Sequence, residues 1–598
     1  MPAAHFPQVG RFRRKLGDVL GESFDGLSRG EFAMISRDKR NPQSRNSGQV
    51  DHNAFHVVIS RYATAFDALM RSSLRVRCCG VSETVEGQPR DLFRYTSGRW
   101  LWDEEERFQE RYRVFNIREL QNVASEAASS GPCIKLEKMR EELYDKTFKL
   151  TMADGKTLIA RIPYRNFGAP SLATASKVAT LEFLRTVLRL PVPRVLAWNA
   201  AADFTNPVGA EYVIMELPSG DNLADVWTKT SLEVKKQTVK DVVEIQRKLL
   251  SIKFLGYGCL FFAKDAPPGS RPVAITGSSL SSETSHRVAK RFSIGPMVTP
   301  EYWRGERAKL DIDRGPWPHP LKYIQAPAHR ELAWFANYAK YYPRDHPTLL
   351  LHHPFSHEDL IETLRRYLQL TPFLLPKDES FLASYLWHRD FYLSNIFVDD
   401  QGHVTDIIDW PNTYTRPLYF ENNIAPHFIH PSDEPDYTLM SAEELKSLNV
   451  DATSAPLDKR TNALLLHAFD KFTKERSPLL ARMAIHPNRD TRRLPFCHVG
   501  NLWKGDILDL LLSFVSVQNH WRELFRKADR PFTYRREKDL AKLVKEREEK
   551  MRLWNDGSGI LTKEGWTSNE NYIAAKLFFD DFKRASGPKV KEWWQWFL

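Results

Sequence analysis

The chain has 598 residues, too many for one ordinary domain, and its hydrophobic content of 42% is ample for packed cores. No run of about eighteen apolar residues occurs, so no membrane-spanning helix is expected. The formal net charge of +11 would admit a nucleic-acid partner, but Lys and Arg are scattered among carboxylates without a recognition motif, and no such partner is expected. The five cysteines, Cys78, Cys79, Cys133, Cys259 and Cys497, form no metal-ligand pair and point to a reducing compartment.

Residues 1–80 carry 13 Lys or Arg against 7 Asp or Glu, with Pro, Ser and Asn clustered from Asn41 to Gly48. From Ala68 to Ser82 there is no acidic residue, and Met70 to Arg77 is rich in Arg and Ser. That composition suits a mitochondrial transit segment or a basic tail without a core of its own. Met70 is an alternative translation start, an idea that a mature N-terminus well before it would exclude.

Tyr144 to Pro163 alternates apolar and polar residues on both sides of Ala153-Asp154-Gly155-Lys156, which predicts a β-hairpin. Ser171 to Leu188 carries Val178, Leu181, Leu184 and Leu188 at helical spacing. Pro191 to Leu196 reads as extended chain. Glu211 to Glu216 is a short, largely apolar strand, and a Pro-Ser-Gly turn follows it. Strands, helix, strands and a hinge-like turn make up the small nucleotide-holding lobe of a kinase. From about residue 222 onward the chain reads as mostly helical, with a Pro-, Ser- and Gly-rich connection from Ala263 to Ser285. The stretch from about 440 to 598 also reads as helices. In it, Ile507 to Val517, interrupted by Asp509 and Ser513, is a core helix, and the charged Arg535 to Arg552 segment is a solvated helix face.

The most informative stretch is 386-LWHRDFYLSNIFVDDQGHVTDIIDW-410. His388, Asp390 and Asn395 stand in the order H-x-D-x-x-x-x-N. The apolar run Ile396-Phe397-Val398, a turn at Asp400-Gln401-Gly402 and a second run from Val404 to Ile408 then lead to Asp409. Such a hairpin would bring Asn395, at its start, close to Asp409, at its end. Phosphoryl transfer spreads negative charge over the transferred oxygens, so a protein serves it with metal ions and fixed geometry. Asn395 and Asp409 offer one amide oxygen and one carboxylate to Mg²⁺. Asp390 can accept or orient the proton of an attacking hydroxyl, and His388 is read as anchoring the loop to the core. The bland alternative is a polar triad that merely caps a loop. Arg389 makes the motif H-R-D, as in protein kinases, which does not decide between a protein and a small-molecule acceptor.

With Tyr95–Leu120, Ile159–Tyr164, Thr174–Asn199, Asn206–Leu217 and Phe292–Trp317, these residues carry a resemblance. The chain resembles the fungal aminoglycoside-phosphotransferase-like proteins of the altered inheritance of mitochondria family, in its ninth-numbered group, over most of its length from about Asp91. The resemblance implies an α+β, protein-kinase-like bilobal fold with a small β-rich N-lobe and a larger helical C-lobe. It also implies a mitochondrial setting, ATP and Mg²⁺ as cofactors, and an unnamed hydroxyl-bearing small molecule or protein as acceptor. Five units are expected: a leader over 1–80, a family-specific segment over 81–130, an N-lobe over 131–221, a C-lobe over 222–440 and a helical extension over 441–598. Met215, Glu216 and Leu217 would present backbone groups to the adenine.

Two departures stand out. Where such kinases have a strand Lys held by a helix Glu, this chain has Arg161 and Lys177, two cations that repel at close range. Glu182 lies about 140° around the helix from Lys177 and is a poor stand-in. The phosphate-covering turn, Glu141-Glu142-Leu143-Tyr144-Asp145-Lys146, lacks the usual Gly, which removes close backbone approach to phosphate. Two accounts fit these facts. Arg161 and Lys177 jointly cradle the phosphates of ATP, or nucleotide binding has decayed and the protein is a kinase-fold binding or scaffold protein. The stretch 290–320 offers Trp303, Glu306, Arg307, Asp311 and Trp317 as candidate acceptor contacts.

Overall fold

The residues around Ala153-Asp154-Gly155-Lys156 form the hairpin that their alternation predicts, and that hairpin sets up the candidate site. In the computed structural model, which describes residues 90–585 apart from 140, 142–143, 166–167, 277–279, 339–356, 411–412, 422–424, 430–456, 501, 503–506, 526–528, 534–536, 556–558 and 563, it lies in a five-stranded sheet. Residues 1–80, including the candidate transit segment and Met70, lie outside the described residues, as does Glu142. Two units are distinguished, Pro89–Asn569 and a second of Met1–Gln88 with Glu570–Leu598. In the second, the helix Tyr572–Ala585 is described.

In chain order the elements of the first unit that position the site begin with β1 (Arg99–Trp100) and, after the helix Glu104–Arg111, α1 (Ile117–Ala128). Then come β2 (Cys133–Lys138), β3 (Asp145–Met152), β4 (Thr157–Pro163), α2 (Leu172–Thr186), β5 (Val195–Asn199) and β6 (Tyr212–Glu216). The sheet is antiparallel, in the order β2-β3-β4-β6-β5. Strand alternation divides its residues between two faces. Phe148, Leu150, Ala160 and Ile162 pack with Leu120 and Ala124 of α1. Ile159, Val213 and Met215 share the larger core with Val178, Leu181 and Leu184 of α2. Fully burying such a side chain stabilises the fold by about 2 kcal/mol. The start of α2 is held by Glu211, whose carboxylate accepts from the Ser171 N–H at 3.2 Å and the Thr174 hydroxyl at 2.5 Å.

After β6 the hinge-like turn leads to β7 (Asp221–Asn222), which pairs with β8 (Ile396–Val398), itself paired with β9 (Val404–Ile407). Gly220 has φ +84°, and a Cβ there would meet the Val398 carbonyl at 2.5 Å, so only glycine passes at this point. The predicted hairpin about Asp400–Gly402 is thus present, in the register Ile396↔Ile407.

The remainder is mostly helical, with one correction to the sequence reading. Cys259–Phe262 and Phe292–Gly295 pair as antiparallel strands, Arg271–Pro272 joins the latter's other edge, and the helix Ser282–Arg291 begins within the stretch Ala263–Ser285 read as a connection and runs past its end. Each apolar run finds its strand partner some distance away in the chain, which local periodicity does not register. Ile507–Asn519 is a core helix, with Leu508, Leu510, Leu511 and Phe514 buried. Glu537–Asn555 buries Leu540 and Leu543 and exposes Lys542. Among the described residues no helix is long and apolar enough to cross a membrane. Near its end the unit returns to its beginning, where β10 (Trp566–Thr567) pairs with β1.

Candidate functional site

The hairpin β8–β9 sets Asn395 beside the residues that precede Asp409, because the Ile408 N–H donates to the Asn395 carbonyl at 3.0 Å. The loop that leads into it is tied at several points. The Asp390 N–H donates to His388 Nδ1 at 3.1 Å, which makes Nδ1 the acceptor. His388 Nε2 therefore carries the proton and donates to the Ile408 carbonyl at 3.1 Å. The His388 ring lies 4.4 Å from that of Trp410 and 4.7 Å from that of Phe391. The Asn395 amide nitrogen donates to the Asp390 carbonyl at 3.0 Å, which leaves its Oδ1 as the atom suited to a cation. Asp409 has φ +63°, in the left-handed region that an Asp enters at a cost of about 1–3 kcal/mol.

Burial holds His388 near pKa 4, against the pull of the Ile408 carbonyl and Asp390. Between pH 6.5 and 4 the unfolded chain binds a proton here and the folded chain does not, so acidification favours unfolding. The folded state is expected to lose about 3 kcal/mol across that window. Denaturant titrations at pH 7 and pH 4 should show this loss in the wild type and its absence in His388→Gln.

Arg161 sits on β4 opposite Thr147, and the same face of the hairpin carries Asp145. Arg161 Nη1 lies 3.7 Å from Asp409 Oδ1 and 3.5 Å from Asp145 Oδ2. Lys177, on α2, donates to the same Asp145 oxygen at 3.0 Å. Asp145 is buried, and burial works to raise its carboxyl. Lys177 and then Arg161, with hydrogen bonds from Lys177 and Thr147, outweigh burial and hold it below the usual carboxylate range. The two cations expected to repel are thus bridged by a carboxylate supplied from the neighbouring strand. Glu182, by contrast, pairs with Arg291.

The turn before β3 contributes differently from a glycine-rich cover. Glu141 is buried against Lys146. The Tyr144 phenol is pushed up to about 12 by burial and then by Glu301, Asp390 and Asp409, which puts it among the candidate carboxylates. Asp145 and Tyr144 are the residues that motif reading missed. On the other side of the loop, the Arg389 guanidinium meets Glu421 at 3.4 Å, and Arg416 meets the same carboxylate at 3.1 Å.

At the hinge, Met215 lies within the ladder between β4 and β5, and the Glu216 N–H donates to the Arg194 carbonyl at 3.0 Å. Leu217 follows the last ladder pair and is exposed. A cleft of about 400 Å³ is lined by Glu216 and Leu217, and by Arg185, Pro191 and Asp406; Asp390, Asn395 and Asp409 are not in its walls. Of the candidate acceptor contacts, Arg307 is buried against Glu331, and the Trp317 indole donates to Asp313 at 2.9 Å. Trp303 donates to the Met297 carbonyl and stacks under Arg314. These three have structural partners, whereas Glu306 and Asp311 are exposed.

The sequence profile of the phosphotransferase enzyme family matches residues 136–436, half of the chain. The chain belongs to that family. The matched span contains all five strands of the sheet in whole or in part, both cations and the entire Asp390–Asp409 hairpin. Over 499 residues the chain is 27% identical to the subtelomeric hrmA-associated cluster protein of Aspergillus fumigatus, covering 74% of this chain and 91% of that one. Over 465 residues it is 25% identical to the Yarrowia lipolytica protein named altered inheritance of mitochondria protein 9, mitochondrial, covering 72% and 76%. The solved streptomycin–ATP ternary complex of APH(2″)-IIa covers 69% of this chain and 99% of that chain, at 11% identity and a TM-score of 0.35.

Proposed function

We propose that this member of the phosphotransferase enzyme family moves the γ-phosphoryl group of ATP to a hydroxyl of an acceptor. The observation that carries the reading is the hairpin β8–β9, in which the Ile408 N–H bond to the Asn395 carbonyl draws together an amide and the segment bearing a carboxylate. The residues fit Mg²⁺ bound with ATP: Asn395 Oδ1 and Asp409 supply two oxygen ligands, a number suited to an ion that keeps water and phosphate oxygens for its other positions. ATP with Mg²⁺ supplies the transferable phosphoryl group and the charge that offsets Arg161 and Lys177. Asp390 accepts or orients the proton of the attacking hydroxyl, while His388, neutral at physiological pH, fixes the loop. Arg161 and Lys177 meet the phosphates, and Met215 to Leu217 border the adenine. The name of the Yarrowia lipolytica relative includes mitochondrial; together with the basic leader, it supports a mitochondrial setting for this chain.

One observation favours a second reading. Asp145 and Asp409 already neutralise Arg161 and Lys177, so a kinase-fold scaffold could keep this cluster without nucleotide. Calorimetric titration of Mg·ATP into the full chain separates the two readings. Micromolar binding that requires Mg²⁺ and disappears in Asp409→Asn supports phosphoryl transfer. No binding at millimolar nucleotide supports the scaffold.

A further inference from the structure

Glu141 and Lys146 form an ion pair with both side chains fully enclosed, and its other partners lie outside the site just described. The Glu141 carboxylate accepts from the Thr96 N–H at 2.6 Å, from Lys138 at 3.1 Å and from the Tyr164 hydroxyl at 3.3 Å. Its own N–H donates to Ser97 Oγ at 2.9 Å. Lys146 Nζ donates to the Arg94 carbonyl at 2.7 Å, and Lys138 donates to the carbonyls of Asp91 at 2.8 Å and Arg94 at 2.7 Å. The segment Asp91–Ser97 is in turn held by the far end of the unit. Asn569 donates to the Thr96 carbonyl at 2.8 Å, the Trp566 indole donates to the Tyr95 hydroxyl at 2.9 Å, and β1 pairs with β10.

Consecutive strand residues point to opposite faces. Lys146 therefore faces this segment, while Asp145, one residue earlier, faces Lys177 and Arg161. We propose that Asp91–Ser97, acting through Glu141 and Lys146, is a brace that positions Asp145 for the nucleotide-phosphate corner. Glu141 and Lys146 are positioning residues in this scheme. The Asp145–Lys177 bond, at 3.0 Å, is already near the usual length for a hydrogen bond, so a displacement of about 1 Å in β3 would break it. The brace gives a role to two stretches far apart in sequence, 91–100 and 565–569, neither of which falls in the matched family region.

The nucleotide part of this proposal rests on the phosphoryl-transfer reading; the brace itself does not. The test compares the full chain, Lys146→Met and Arg307→Met by amide hydrogen exchange at Tyr144–Thr147 and by Mg·ATP calorimetry. Arg307→Met breaks a buried pair with Glu331 elsewhere and controls for general destabilisation. In Lys146→Met, exchange at Tyr144–Thr147 should quicken and Mg·ATP affinity should fall about tenfold, as expected for a lost charge-assisted contact. Arg307→Met should leave both unchanged. Unchanged exchange in Lys146→Met overturns the brace, and so does a fall in affinity no larger than that of Arg307→Met. A wild type that binds no nucleotide sinks the phosphoryl-transfer reading instead, and the exchange data then decide whether the brace exists.

Discussion

Asp145→Asn should destabilise the protein by about 3–5 kcal/mol, the range for removing one partner from a buried charge cluster. Asparagine keeps the shape of the side chain but not its charge. Lys177 and Arg161 would then face each other across the space that the carboxylate now bridges at 3.0 and 3.5 Å. Denaturant titration measures the loss. Lys177→Glu alone should also destabilise, because it sets a second carboxylate against Asp145. Combining Asp145→Asn with Lys177→Glu should recover much of the loss, since Arg161 would then meet a carboxylate on α2. A double variant whose loss equals the sum of the two single losses would show that the three groups do not act as one cluster.

That network shows how far the sequence could be read. The helix over 172–186 and the strands at 145–163 and 396–407 follow from local periodicity and turn chemistry, and they appear where those signals put them. The conflict between Arg161 and Lys177 was also legible, because both residues fall at positions that such a fold brings together. Its resolution was harder to see. Asp145 looks like part of a turn until the hairpin register is counted back from Gly155, which pairs Thr147 with Arg161 and puts Asp145 on the same face. Two facing cations demand a buried anion, and that register was the available signal for finding it. No local pattern predicts that Arg99 and Trp100 would pair with Thr567 and Trp566, or that Glu421 would hold Arg389. The first of these contacts depends on chain closure across hundreds of residues, and the second on how the chain folds back beyond the hairpin. The tryptophans of the 290–320 stretch show the opposite error: an aromatic residue near a site invites a ligand reading, while Trp317 is enclosed and satisfied by Asp313.

The hydrogen bonds of the candidate loop make Asp390→Asn the most direct test of chemistry as distinct from binding. Apart from its carboxylate, Asp390 is held through its backbone: the N–H donates to His388, and the carbonyl accepts from the Asn395 amide and from the Tyr392 N–H at 2.8 Å. Those bonds do not depend on the carboxylate, so the loop should survive the substitution. Mg·ATP affinity should therefore stay close to that of the wild type, whereas Asp409→Asn should abolish it. Turnover of ATP, with water or a hydroxyl compound as acceptor, should fall about 10²–10⁴-fold in Asp390→Asn, the range for loss of a positioned base. Equal turnover in wild type and variant would remove Asp390 from the reaction. If affinity and turnover instead fell together, Asp390 would belong to the nucleotide site, and the base would have to be sought among the groups around Tyr144 and Glu301.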